Sequence, residues 1–219
     1  MSAGGHRANA DLRAFVAALA MLWAAPASAS EEATASERAP RWSFRGEGSY
    51  YSLPDDTDYV LWRALADRGL LHLEARYNAE ALHTLSAFLG VNFAFGERLR
   101  LELTPLLGGM VGRTNGLAPA LELGLSLWKL ELYSEMEYVF DLGAPEANFF
   151  SSWTELSLWP VEWARAGLIF ERTRTVTTSF DLSRGFLLGL AYRHVSAAVH
   201  VLNPGAEDVY TIFLLAAEW

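Results

Sequence analysis

The chain has 219 residues, no cysteine and a formal net charge of −9. This length suits a single domain, and the absence of cysteine excludes both disulfide bonds and an acylated lipoprotein terminus. The acidic balance argues against nucleic acid as a partner.

The first 29 residues predict a signal peptide that is removed on export. Arg7 and Arg13 supply its positive region, residues 14–25 are apolar, and residues 27–29 (Ala-Ser-Ala) match an A-x-A cleavage site. An apolar stretch of about a dozen residues is too short to span a bilayer. A buried N-terminal helix is the alternative.

The rest of the chain is predicted to form a short arm and one folded domain. Residues 30–41 are charged or small, which predicts a flexible periplasmic N-terminal arm. Residues 42–219 hold no apolar run of 18 residues, so we expect no transmembrane helix there. Their apolar residues alternate with polar ones instead, as in 117–127, where five leucines share one face. This period of two predicts strands at 42–53, 59–66, 70–79, 84–95, 98–109, 117–128, 129–140, 149–159, 162–173, 184–193, 196–202 and 207–219.

The connections between these strands alternate in length. Tight turns such as Gly96-Glu97 are followed by longer polar segments such as residues 112–116 and 141–148. Short periplasmic turns and longer external loops are typical of transmembrane barrels. We therefore predict an all-β fold, a single antiparallel transmembrane β-barrel of about twelve strands with both termini periplasmic. Ten or fourteen strands, and a soluble barrel or sandwich, are the alternatives.

Aromatic residues fall near both ends of the predicted strands, as in the interfacial girdles of membrane barrels. Those near the predicted periplasmic ends are Trp42, Phe93, Phe95, Trp128, Trp159, Trp163, Tyr192 and Trp219, and those near the external ends are Tyr50, Tyr51, Tyr59, Tyr77, Tyr138, Phe140, Phe149, Phe150 and Phe170.

The signal peptide, the alternating strands and the last strand resemble the bacterial outer-membrane β-barrel class. The last strand ends on Trp219, and Phe213, Leu215 and Ala217 precede it at alternate positions. The resemblance implies an integral outer-membrane location with contacts to membrane lipid and lipopolysaccharide. It also implies that the barrel-assembly machinery recognises the C-terminal strand.

A shorter segment is similar to the C-terminal region of the lipid A 3-O-deacylase family. His194-Val195-Ser196 is followed by Asn203 and Glu207. The resemblance implies Ser196 as nucleophile, His194 as base, Glu207 as the acid that orients it and Asn203 as an oxyanion donor. Ala197 stands where that family has asparagine, and those barrels have eight strands. The alternative is that His194 lies in a turn and Ser196 in a strand, and that neither is catalytic.

Charged residues on the polar faces of the strands predict the chemistry of the lumen. We expect acids on strands five to eight to form one wall and arginines on strands one to three and nine to form the opposite wall. A water-lined acidic wall would make a small porin-like channel for small solutes, whereas mutually paired charges would make a closed, structural or partner-binding barrel. The predicted acidic wall is Glu102, Glu122, Glu131, Glu135, Glu137 and Glu155, and the predicted basic wall is Arg45, Arg63, Arg76 and Arg165.

No cofactor or metal site is predicted from the sequence. The histidines show no metal-ligand spacing, and there is no Gly-rich phosphate loop or nucleophile elbow. The histidines are His6, His72, His83, His194 and His200.

Overall fold

The computed structural model describes residues 40–54, 56–175 and 181–219. The predicted signal peptide and most of the predicted arm lie outside these residues. Thirteen hydrogen-bonded segments form twelve strands, because Asn92 interrupts the fourth strand between two segments that pair with the same neighbour. The strands are β1 (Ser43–Ser52), β2 (Tyr59–Arg68), β3 (Leu71–Tyr77), β4 (Thr84–Val91 and Phe93–Phe95), β5 (Leu99–Gly112), β6 (Gly116–Leu127), β7 (Leu130–Asp141), β8 (Phe149–Val161), β9 (Ala164–Thr175), β10 (Asp181–Tyr192), β11 (Val195–Leu202) and β12 (Tyr210–Glu218).

The strands form one closed, antiparallel barrel, as the sequence predicts. Each strand pairs with its neighbours in the chain, and β1 closes the barrel against β12, with Arg45 opposite Glu218 and Ser52 opposite Thr211. Closure leaves no free sheet edge. Among the described residues, no helix is long and apolar enough to cross a membrane.

The two ends of the barrel differ in their connections. One end, which we call the turn end, contains the start of β1, the end of β12 and two-residue turns such as Trp128-Lys129 and Arg193-His194. Trp128 and Arg193 have positive φ, which the tight hairpin turns of twisted strands require. The opposite end, the loop end, carries the longer connections, one of which includes a single 3₁₀ turn at Pro145–Ala147.

Alternation within each strand separates an apolar exterior from a polar interior, because successive side chains of a strand point to opposite faces. In β3, His72, Glu74 and Arg76 are buried while Leu71 and Leu73 are exposed. The exposed side chains on the outer face include many leucines, among them the 62% exposed Leu188.

Most girdle aromatics lie exposed near the barrel ends, including Trp128 and Trp219 at the turn end. Four predicted members face the interior instead, namely Trp159, Tyr51, Tyr59 and Phe149. Trp159 donates its indole N–H to Glu131 at 2.7 Å, and Tyr51 stacks on Tyr59 with ring centroids 4.5 Å apart. Each of these residues lies at a position of its strand where alternation directs the side chain into the barrel.

Apolar side chains also fill part of the interior. One cluster contains Phe88, Leu106, Met110 and Val139, with Phe149 packed against it, so Phe149 also departs from its predicted girdle position. A second, smaller cluster lies on the β9, β11 and β12 wall. Much of the remaining interior is polar or charged.

Candidate functional site in the lumen

Arg63 on β2 connects both sides of the lumen. Its guanidinium lies 2.6 Å from Glu74 on the neighbouring strand β3 and 3.5 Å from Glu47 on β1. The same group lies 3.1 Å from Glu122 on β6 and 3.1 Å from Glu135 on β7. These two acids belong to the opposite wall, so the side chain crosses the lumen.

Arg76 on β3 makes a second crossing. It lies 2.9 Å from Glu74 on its own strand, and 2.6 Å from Glu135 and 3.0 Å from Glu137 on β7. Glu80 lies 3.8 Å away at the loop end. Arg76 is 4% exposed, so its charge is removed from bulk water and needs these carboxylates.

The carboxylates of this cluster outnumber its guanidiniums. Two arginines face six acids, which leaves an excess of four negative charges when all are ionised. Arg63 and Arg76 on β2 and β3 face acids on β6 and β7, and their long side chains reach across the lumen to pair with those acids. We call this cluster the ion network; its members are Arg63, Arg76, Glu47, Glu74, Glu80, Glu122, Glu135 and Glu137.

The other predicted basic residues have local partners. Arg45 pairs with Glu47 and Glu218 near the turn end. Arg165 on β9 lies 2.8 Å from Glu155 on the adjacent strand β8.

The other predicted acidic residues lie outside the ion network. Glu155 also lies 3.1 Å from the buried His200. Glu131 accepts the Trp159 indole N–H. Glu102 has a half-exposed side chain near the turn end, pairs at 2.7 Å with Arg100 and does not line the main cavity.

A cavity of about 540 Å³ runs beside the ion network. The network forms one of its walls, and inward residues of β1, β8, β9, β11 and β12 form the other. It shares Arg45, Glu131 and Arg165 with a cavity of about 300 Å³ at the turn end. It shares Glu171 and Thr173 with a cavity of about 320 Å³ at the loop end. The main cavity therefore adjoins one cavity toward each end of the barrel.

The loop between β1 and β2 borders the loop end. Asp58 accepts hydrogen bonds from the Tyr50 hydroxyl and from the Leu53 backbone N–H. These donors stabilise the ionised carboxylate and hold the pKa of Asp58 below its usual value. The loop thus adds one more fixed negative charge near this entrance.

The four residues of the predicted hydrolase site are not brought together. His194 lies in a turn at the turn end, and Ser196 is the second residue of β11, close to it. Asn203 and Glu207 lie in the loop at the other end of β11. Ser196 and Asn203 are seven residues apart, about 23 Å along an extended strand. A nucleophile and an oxyanion donor must meet at one reacting atom, so this arrangement does not form the predicted esterase site. The barrel also has twelve strands rather than eight.

Several lumen residues were absent from the sequence-based walls. Glu74 contacts both crossing arginines, Glu47 contacts Arg63 and Glu80 contacts Arg76. His72 lies beside Glu74. The alternation within strands could have predicted that Glu47 and Glu74 face the lumen, because each lies two residues from a predicted lumen arginine. Glu80 lies beyond the end of β3, where alternation no longer indicates direction.

Three solved structures are similar to this chain in fold. The KdgM porin superposes with a TM-score of 0.54 at 12% sequence identity, over 80% of this chain and 98% of that chain. The structure of the KdgM porin in complex with disordered oligogalacturonate superposes with a TM-score of 0.53 at 12% sequence identity, with the same coverage of both chains. The NanC porin superposes with a TM-score of 0.50 at 8% sequence identity, over 79% of this chain and 97% of that chain. No protein family and no curated protein matches the sequence. The chain is a closed twelve-stranded barrel with the fold of bacterial outer-membrane porins.

Proposed function

We propose that this protein is a passive channel of the bacterial outer membrane that favours small cations over anions. The observation that supports it is the excess of carboxylates over guanidiniums on the wall of a cavity that continues toward both ends of the barrel. In a narrow passage with low-dielectric walls, fixed charge of one sign concentrates ions of the opposite sign. Rings and walls of acidic side chains select cations in channels by this effect.

The proposed orientation places the turn end in the periplasm and the loop end outside the cell. Short turns lie on the periplasmic side of outer-membrane barrels and longer loops on the external side. The exposed leucines would then contact membrane lipid and lipopolysaccharide. The barrel-assembly machinery would recognise β12 and Trp219, after export directed by residues 1–29.

The charge of the lumen also limits the proposed solutes. The KdgM porin was solved in complex with oligogalacturonate, which is a polyanion because each sugar carries a carboxylate. An excess of carboxylates in this lumen disfavours such a ligand by like-charge repulsion. We therefore propose small cationic or neutral solutes for this chain.

A closed barrel with a structural or partner-binding role is the second candidate. The observation that favours it is that Arg63 and Arg76 cross the lumen and pair with the opposite wall. In this case the cavities would hold water without conducting. Conductance separates the two candidates.

The test is the reversal potential of the purified barrel in planar bilayers under a KCl gradient. We expect small conductance steps with a several-fold preference for K⁺, because fixed carboxylates attract cations. Glu135→Gln with Glu137→Gln should clearly lower this preference, because it removes two of the six carboxylates of the ion network. The arginines keep carboxylate partners in this double variant, so the barrel should stay folded.

The control is Glu102→Gln, which removes one negative charge at the exposed rim. We expect it to leave the reversal potential nearly unchanged. A silent wild-type protein would favour the closed barrel, and an anion preference would contradict the proposed function.

A further inference from the structure

His72 is held in one orientation on the lumen wall. It is 3% exposed, and its Nδ1 lies 2.8 Å from an oxygen of Asp67. Asn92 donates to the same Asp67 oxygen at 2.6 Å, and Thr104 donates to Asn92 at 2.7 Å. Because Asp67 accepts the Nδ1–H, this chain of hydrogen bonds fixes the ring, and in its neutral form the ring presents the Nε2 lone pair.

The Nε2 atom of this histidine is buried and has no hydrogen-bond partner among the described residues. Its nearest carboxylate oxygen, on Glu74, is 3.8 Å away, which is beyond hydrogen-bond distance. A buried polar atom without a partner is uncommon and costs free energy. The atom therefore points to a ligand.

Two carboxylates share the space into which this nitrogen points. Ligand atoms of His72, Glu74 and Glu122 all lie within 4.8 Å of one another. The Glu74 side chain is fully buried and that of Glu122 is 13% exposed. Ligands about 2.1 Å from a tetrahedral zinc ion lie about 3.4 Å apart, so small rotations of the two carboxylates suffice for coordination.

We propose that His72, Glu74 and Glu122 form a binding site for a divalent transition-metal ion of the zinc class. One imidazole nitrogen and two carboxylates are ligands that zinc takes, and three protein ligands leave a position for water. A carboxylate that orients a metal-ligating histidine through its other ring nitrogen is the usual outer partner in such sites, and Asp67 has this position.

The charge of the surroundings favours a dication there. Arg63 contacts both Glu74 and Glu122, but the ion network as a whole carries more carboxylates than guanidiniums. A bound dication would offset part of this excess of carboxylates. The lumen wall would also gain a fixed point that ties β3 to β6.

The test is a zinc titration of the mature chain in detergent at neutral pH, followed by calorimetry or by competition with a chromophoric chelator. We expect one Zn²⁺ per chain. His72→Ala should weaken binding by at least a hundredfold and Glu122→Gln by at least tenfold. Asp67→Asn, which changes only the orienting partner, should weaken it by about 10–100-fold. Binding should also weaken at acidic pH, because the imidazole must lose its proton to coordinate.

The control is His83→Ala, because His83 is exposed in the loop between β3 and β4 and contacts none of these ligands. It should bind zinc as the wild type does, and an anomalous difference peak should lie beside His72 Nε2 in zinc-soaked crystals. Retained heat-sensitive migration in SDS shows that each variant is folded. Absence of saturable binding by the wild type, or equal binding by folded His72→Ala and Glu122→Gln, would overturn the proposal. This result does not depend on whether the barrel conducts.

Discussion

Replacing Arg76 by methionine is expected to lower the free energy of unfolding by about 3–5 kcal/mol, since removing one partner of a buried ion pair leaves uncompensated buried charge. Arg76 touches four carboxylates and is 4% exposed. Methionine keeps much of the side-chain volume, so the expected loss comes from the charge and not from a cavity. The Arg76 guanidinium also lies over the Phe88 ring, 4.2 Å from its centroid, and this contact is lost too.

Urea unfolding of the barrel in lipid vesicles measures this change. The matched control is Arg100→Met at the turn-end rim, where the pair with Glu102 is about half exposed. An exposed ion pair contributes about 0–1 kcal/mol, so the control should differ little from the wild type. Equal, small changes in both variants would show that the ion network does not hold the lumen together. Adding Glu137→Gln to Arg76→Met should restore part of the lost stability.

Leu188→Arg is expected to destabilise the barrel by about 2–4 kcal/mol in lipid, because the barrel exterior at mid-height faces hydrocarbon. Leu188 is 62% exposed and lies opposite Ala166 on β9 and Val199 on β11. Since β10 has twelve residues, this position is near the middle of the strand. Arginine there would place a charge in the bilayer interior.

The control for this substitution is Leu142→Arg. Leu142 is 72% exposed but lies in the loop after β7, outside the predicted membrane region. We expect its unfolding free energy in vesicles to match that of the wild type. If Leu188→Arg were also neutral, the outer face would contact water and the chain would be a soluble barrel.

The strands were predictable because alternation is a local signal. A strand buried on one face and in contact with lipid on the other must change polarity at each residue. The predicted strands all overlap those of the structure, and their boundaries differ by up to three residues. The interruption at Asn92 was not predicted, because its side chain bonds to Asp67 and Thr104 on two other strands.

The partners within the lumen were not predictable in the same way. Alternation places Arg76 and Glu137 on the inner face, but it does not tell how far a side chain extends across a barrel. These residues are 61 positions apart in the sequence, and their contact depends on barrel diameter and register. The sequence therefore indicates which strands carry these charges, but not that Arg63 and Arg76 pair across the lumen with acids of the facing wall.

The cluster around His72 shows a second limit. A sequence search for the spacing of metal ligands finds ligands that lie within one helix or one turn. Here Glu122 lies 50 residues beyond His72, on a strand that meets β3 only across the lumen. A search limited to histidine and cysteine spacing cannot find a site whose ligands come from opposite walls.

The water-filled acidic path is tested most directly by the reactivity of single introduced thiols. The chain contains no cysteine, so each variant carries one thiol only. Ser151 lines the main cavity, whereas Ser86 is 1% exposed, donates to Glu80 and does not line it.

The folded barrel in vesicles is treated with a cationic trimethylammonium or an anionic sulfonate methanethiosulfonate reagent of similar size. We expect Ser151→Cys to react with the cationic reagent faster by on the order of tenfold, because an acidic cleft concentrates cations. Ser86→Cys should stay protected until the barrel unfolds. An unreactive Ser151→Cys, or equal rates with both reagents, would contradict a water-filled, cation-favouring lumen.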